Sequence, residues 1–269
     1  MKIACGIEYF SDQYYGFQRQ ISFISIQEVL ERAISNIADQ PIEIFCAGRT
    51  DTGVHAIGQV IHFETSTHRS MDTWVKGVNA KLPADIRLQW AREVPDDFHA
   101  RYSATARRYE YWIDNTKIPS VIWQKHMLHH FFYLDAEKMN QAVQVLLGEY
   151  DFSAFRSSEC QSPTPRRSVY FAQVSRHGDF LKLELEANAF LHHMIRNIVG
   201  SLLPIGDGRE PASWLKFLLD QKDRTLSGMT VKPHGLYLVS VTYPEHFEIP
   251  MTANCLQFSK SVDTIPARS

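Results

Sequence analysis

Apolar and polar positions alternate along the first hundred residues with two different periods. Residues 2 to 9 read as a short strand, followed by a polar, aromatic loop from 11 to 20. Ile26, Val29, Leu30, Ala33, Ile34 and Ile37 then recur at 3.6-residue spacing, and Ser25 with Glu28 forms a capping box in front of them, which predicts a helix. Residues 42 to 47 and 57 to 64 are rich in Ile, Val and Phe and predict strands on either side of a loop. A second helix is expected over 70 to 80, with Met71, Trp74, Val75 and Val78 as its buried stripe; a strand follows over 86 to 94, with Ile86, Leu88 and Trp90 on one face. This stretch has the order β-α-β-β-α-β.

The order then repeats. Residues 105 to 114 alternate as a strand, Asp135 is placed to cap a helix that turns Met139, Ala142, Val143, Leu146 and Leu147 inward, and a hairpin is expected from 168 to 188 around His177-Gly178-Asp179. Helices over 190 to 203 and 211 to 222 and a strand over 235 to 243 complete the unit. The fold class that follows is α+β: two tandem ferredoxin-like halves, residues 1–104 and 105–244, with helices on one side of the sheet and a cleft between the halves. Residues 245–269 lose periodicity and read as a mobile tail. The repeat is one of element order, not of residues.

With 44% hydrophobic and 22% charged residues the chain is an ordinary globular protein. Its four cysteines are far apart, which disfavours a disulfide framework or a cysteine-rich zinc site and fits a reduced, cytoplasmic setting. The N-terminus has no signal core, and no apolar run approaches the roughly 18 to 20 residues that span a bilayer. A net charge of -2 does not advertise a generic polyanion binder, so any nucleic-acid reading must rest on local chemistry.

That chemistry centres on CAGRTDTGVHA, residues 46 to 56, where Asp51 lies in a loop between two glycines, Gly48 and Gly53. The ordinary reading of a loop aspartate is an Asx turn. A nucleophilic carboxylate, by contrast, must stay ionised in a partly dry cleft and needs a cation nearby. Arg49 is close in sequence and points either toward Asp51 or out to a substrate. Arg196 interrupts the apolar run FLHHMIRNIVGSLL, and either snorkels to solvent or is held inward by an acid. Adjacent histidines in that run are expected on different helix faces, and neither they nor His126, His129 and His130 have partners at ligand spacing, so no metal is expected. GxxxxGK[ST] and GxSxG are both absent, so no nucleotide cofactor and no serine hydrolase is indicated.

The segment GRTDTGVHA (48 to 56) closely resembles the signature of the tRNA pseudouridine synthase A family, and the likeness extends over roughly residues 1 to 244. GIEYFSDQYYGFQRQ (6 to 20), SIQEVLE (25 to 31), NAKLPADI (79 to 86), DFHARYSATARRYEY (97 to 111), GEYDFSAF (148 to 155), FLHHMIRNIVGSLL (190 to 203) and PHGLYLVSVTYP (233 to 244) look like family blocks in family order. Phe17 stands where a tryptophan is common and Tyr150 where a histidine is common, neither at the chemistry. The resemblance implies two ferredoxin-like halves sharing a continuous, mostly antiparallel sheet. It also implies a homodimer that needs no cofactor and isomerises uridines at positions 38 to 40 of the tRNA anticodon stem-loop. It assigns Asp51 as nucleophile, Arg49 as the arginine that helps displace the base, Tyr109 as the ring that stacks on the uracil, Arg196 as the partner of the aspartate and Leu236 as an apolar wall.

These residue types suit the task. Flipping a base costs a few kcal/mol, and stacking on an aromatic ring returns about 1 to 3 kcal/mol per base. RNA grip is expected from Arg19, Arg101, Arg107 with Arg108, and Arg166 with Arg167, because the planar guanidinium matches phosphate. A non-catalytic tRNA chaperone of the same fold is the competing reading, and the constellation of Asp51, Tyr109 and Arg196 disfavours it. A hydrolase using Asp51 as base lacks a second carboxylate or a metal set.

Overall fold

The first helix begins where its capping box predicts: the Ser25 side chain accepts the Glu28 N–H, and Asp39 closes the helix in the left-handed conformation. This computed structural model describes residues 1–250, so the expected tail lies outside the described residues from 251 onward. The elements of the first stretch are β1 (Lys2–Tyr9), α1 (Ile26–Ala38), β2 (Phe45–Cys46), β3 (His55–Glu64), α2 (Met71–Asn79) and β4 (Ile86–Val94). Those of the second are β5 (Ala106–Asp114), β6 (Leu128–His129), α3 (Ala136–Val143), β7 (Gly148–Asp151), β8 (Arg166–His177), β9 (Phe180–Ala187), α4 (Met194–Gly206), α5 (Trp214–Gln221) and β10 (Leu236–Thr242).

The result is a mixed α+β architecture: one 10-stranded sheet, mostly antiparallel, with five α-helices among the described residues. Eight strands run in the order β4-β1-β3-β10-β5-β9-β8-β7, while β2 pairs with β3 and β6 with β5. The two stretches join where β10 runs parallel to β3, Tyr237 opposite His55 and Leu238 opposite Ala56. Successive strand residues face opposite sides of the sheet. The large core takes Tyr109, Tyr111, Leu236 and Leu238 together with the inward faces of the helices. Trp112, Tyr237 and Val239 join Met127 and Phe180 in a smaller cluster.

Two expected elements shift and one unexpected strand is added. The strand expected over 42 to 47 shrinks to Phe45–Cys46, because the Ile42 N–H goes to Ser35 Oγ (2.9 Å) and the Ile44 N–H to Glu31 Oε1 (3.1 Å), both side chains of α1, not to a ladder. The helix expected over 190 to 203 starts only at Met194, since His193 adopts the left-handed conformation at φ 62° and ends any helical run before it. Four residues at 148 to 151 add β7 to the sheet by pairing with the start of β8, a segment too short to show alternation. No helix among the described residues is long and apolar enough to cross a membrane.

Candidate active site

Asp51 sits on the loop that leads into β3, and the backbone of this loop is pinned from several sides. Gln59, fully buried on β3, donates to the Gly48 carbonyl at 2.6 Å and accepts the Gly48 N–H at 3.3 Å. The Tyr9 hydroxyl from β1 bonds Thr50 Oγ1 at 2.8 Å, and the Thr50 carbonyl accepts the Phe17 N–H at 3.0 Å. Gly53 takes φ 78°, with Pro233 and His234 packed so closely that a Cβ there would lie 2.9 Å from Pro233 Cγ. His55 adds a further tie: its Nδ1 accepts the Ser11 N–H at 3.0 Å, while Ser11 Oγ accepts the Gly53 N–H at 3.2 Å. Burial pushes the His55 imidazole down to about 4, so the neutral ring that this hydrogen bond requires persists at neutral pH.

The other wall comes from the second stretch. A small-residue contact sets it up: Gly200 on α4 and Gly228 pack backbone to backbone, a Cβ on Gly200 falling 1.9 Å from the Met229 carbonyl oxygen. The segment following Gly228 is thereby laid along α4. Its Val231 carbonyl accepts Arg196 Nε at 2.8 Å, leaving the far end of the guanidinium 3.4 Å from Asp51 Oδ2. Arg196 is therefore turned inward, the second of the two orientations open to it from sequence. Tyr109 of β5 is buried, stacks edge-on against Phe190 with ring centroids 5.1 Å apart, and places its hydroxyl 3.6 Å from where a Cβ on Gly48 would stand. Burial raises the Tyr109 phenol well above its ordinary value, so the hydroxyl keeps its proton.

Two further residues face the carboxylate. His192 Nε2 lies 3.5 Å from Asp51 Oδ1 and His193 Nε2 lies 3.4 Å from Asp51 Oδ2. The expectation that these adjacent histidines point to different helix faces fails, because both precede α4 and their rings pack 3.8 Å apart, centroid to centroid. Burial, followed by the Arg196 charge, lowers the His193 imidazole. A half-buried acid is thus enclosed by one guanidinium and two imidazoles and bordered by an aromatic ring, at the line where two stretches of chain meet.

The family is settled by comparison of the whole chain. Residues 9–103 and 142–244 match the family model described as tRNA pseudouridine synthase. The chain belongs to the tRNA pseudouridine synthase family. It is 56% identical over 253 residues to the tRNA pseudouridine synthase A of Actinobacillus pleuropneumoniae serotype 3, covering 94% of this chain and 97% of that one. The protein of the same name from Haemophilus ducreyi is 53% identical over 253 residues, with 94% and 97% covered. That from Escherichia fergusonii is 54% identical over 249 residues, with 93% and 92% covered.

Within this synthase-family chain the expected site residues divide into two groups. Asp51, Tyr109 and Arg196 come together, and Leu236 is buried at the start of β10 directly after the turn that covers Gly53. Arg49 is exposed and makes no hydrogen bond or ion pair among the described residues. Arg101 is exposed, its guanidinium 5.6 Å from the Tyr102 ring, and Arg19 pairs with Glu31. Arg107 faces inward, donating to the carbonyls of Ala104 (3.0 Å), Asn188 (2.9 Å), Ala47 (3.0 Å) and Arg101, so it braces the loops beside Asp51 and Arg101. Arg108 is engaged by Glu184 and Glu186, and Arg167 by Thr164, Arg166 and Ser162. Sequence reasoning missed His55 and Gln59, and set His192 and His193 aside for want of a partner, which Asp51 supplies from a distant part of the chain. His55 and the histidine pair stand inside family blocks, but nothing in their spacing shows which way a loop turns its rings.

Proposed function

We propose that the chain isomerises uridine to pseudouridine at positions 38 to 40 of the tRNA anticodon stem-loop, with Asp51 as the nucleophile. One observation carries the assignment: the Asp51 carboxylate is half-buried, 3.4 Å from the Arg196 guanidinium, in a site bordered by Tyr109. The anticodon position rests on the family resemblance. In the reaction the N1–C1′ bond breaks, the uracil turns, C5 bonds to C1′, and the C5 proton leaves while N1 gains one; Asp51 bonds in the interval either to uracil C6 or to ribose C1′, and that bond breaks again to return the free carboxylate. Atoms and electrons balance within one nucleotide and water, so neither metal nor nucleotide cofactor is called for.

Tyr109 is assigned to stack on a swung-out uracil and Leu236 to form an apolar wall, while the Arg196 guanidinium lies against the carboxylate in a partly dry site. Arg49 and Arg101, both exposed, are assigned to the RNA backbone and to base displacement, with Arg19 at the edge of the same surface. Arg107 contributes through the loops it braces.

The same reading extends to architecture. Residues 1–104 and 105–244 are proposed as two ferredoxin-like halves. In support, β4-β1-β3-β2 of the first stretch and, with the short β6 and β7 left aside, β10-β5-β9-β8 of the second follow the same neighbour order of fourth, first, third and second strand. A cytoplasmic homodimer spreading one tRNA over two such surfaces completes the proposal, with residues 245–269 as its tail.

The test is incubation with unmodified tRNA carrying tritium at uracil C5. Release of label from the anticodon stem-loop supports isomerisation. Tight tRNA binding without release would favour the chaperone reading instead.

A further inference from the structure

The two histidines beside Asp51 are the feature that the proposed reaction leaves without a role. Their Nε2 atoms face different oxygens of one carboxylate, at 3.5 Å for His192 and 3.4 Å for His193. Donor atoms of Asp51, His192 and His193 all lie within 4.8 Å of one another, a spacing that a transition metal would also accept. Two observations speak against a metal and for a hydrogen-bonding role. The His192 Nδ1 is buried with no hydrogen-bond partner among the described residues. A metal on Nε2 would force the ring proton onto Nδ1, leaving a buried N–H without an acceptor, where ligating histidines normally have one. The lone pair is the cheaper occupant of that position, so the proton belongs on Nε2, the ring nitrogen 3.5 Å from Asp51 Oδ1. The Arg196 charge, 3.4 Å from Oδ2, would also repel a divalent ion.

The backbone is shaped to hold this arrangement. His193 sits in the left-handed region at φ 62°, a conformation a non-glycine side chain rarely takes and one that clusters at functional sites. The His192 N–H is tied to Cys160 Sγ at 3.4 Å, and the Ser157 N–H bonds the His192 carbonyl at 3.1 Å, so the turn is anchored to the 157 to 160 segment. The two rings pack 3.8 Å apart, centroid to centroid, tilted by 30°, so each borders the other beside the carboxylate.

We infer that His192 and His193 are positioning residues, which hold the two oxygens of Asp51 through Nε2–H donors and so fix the direction from which the carboxylate meets the nucleotide. This rests on the reading of Asp51 as the reacting group. A protonated His193 would add a full charge beside a carboxylate already paired with Arg196, weakening it as a nucleophile. Asp51, Arg196, His192 and Glu159 are the groups whose charges bear on that ring. Because burial and Arg196 both lower the His193 imidazole, this loss belongs on the acid side of its ordinary value, below about pH 6.5.

The test compares His192→Ala, His193→Ala, His192→Gln and His193→Gln with wild type, measuring C5 tritium release from unmodified tRNA over a pH series at several tRNA concentrations. A glutamine amide can place an N–H near the Nε2 position without titrating. The alanine variants are expected to lose about 10- to 100-fold in kcat with KM changed less than about 3-fold. Glutamine at either position should restore most of kcat, and His193→Gln should move the acid limb to lower pH. Wild-type kcat in the alanine variants, losses confined to KM, or glutamine failing as badly as alanine would each overturn the inference. Asp51→Asn, run alongside, separates the two claims: label release that survives it overturns the nucleophile, whereas its loss together with wild-type turnover in the alanine variants overturns the histidines alone.

Discussion

Arg196 is fixed at both ends, by the Val231 carbonyl at 2.8 Å and by Asp51 at 3.4 Å, and that double attachment determines what its removal should do. The guanidinium does not reach outward to grip a phosphate. It meets the acid, in a site where water is partly excluded and a charge is worth more than at the surface. Arg196→Ala should therefore cut the turnover of uridine by about 100-fold or more while tRNA affinity stays within about 3-fold. Single-turnover label release and filter binding on the same variant check this, and equal losses in both would contradict the ion-pair role. Arg49 is the converse case: exposed and without a partner among the described residues, it should affect binding and its salt dependence when replaced by alanine.

Between elements, the decisive contact is a close approach of backbones. Gly200 allows the segment at Gly228 to lie against α4, and so brings Val231 to Arg196. A methyl group on Gly200 would lie 1.9 Å from the Met229 carbonyl oxygen, which is backbone and cannot swing aside. Gly200→Ala is expected to cost about 1 to 3 kcal/mol of stability, measured by urea unfolding, and to lower turnover as Arg196 loses its anchor. Wild-type turnover in a destabilised Gly200→Ala protein would show that the segment following Gly228 does not aim the arginine. This contact also marks the limit of what the sequence discloses. Amphipathic spacing was enough for α1, and alternation for the β8–β9 hairpin, since a helix stripe or a strand face is written in consecutive residues. The Asp51 loop was visible because its chemistry is packed into a few adjacent positions. The start of α4 was not: a single left-handed histidine decides it, and local pattern rules do not expect a non-glycine residue there. Nor could spacing tell that Arg107 and Arg167 turn inward to bind carbonyls while Arg49 and Arg101 stay exposed.

Over the whole molecule, the parallel pairing of β3 with β10 makes one sheet of two stretches and puts the acid on one side of the join and its cation on the other. The site therefore exists only when both are folded together. Two buried histidines tie that integrity to pH. His55 and His62 each have an imidazole lowered from 6.5 to about 4 by burial, and each uses a neutral Nδ1 to accept a backbone N–H, from Ser11 and Ala100. The unfolded chain takes up these protons below about pH 6.5, whereas the folded chain refuses them until about pH 4; stability thus declines as pH falls through that window and these groups add no further loss below it. The contribution is about 3 kcal/mol per histidine, because each tenfold loss of proton affinity on folding is worth about 1.4 kcal/mol. Denaturant titrations across the window should show the decline, and His55→Asn, which keeps an acceptor but does not titrate, should flatten part of it; an unchanged slope would contradict the buried-histidine account. Everything returns to whether the acid at the join performs the chemistry. The most direct measurement is the rate of C5 tritium release by Asp51→Asn at saturating unmodified tRNA, with tRNA binding determined on the same preparation. The account predicts binding close to wild type and no release above the uncatalysed background; release at a rate near wild type would contradict it.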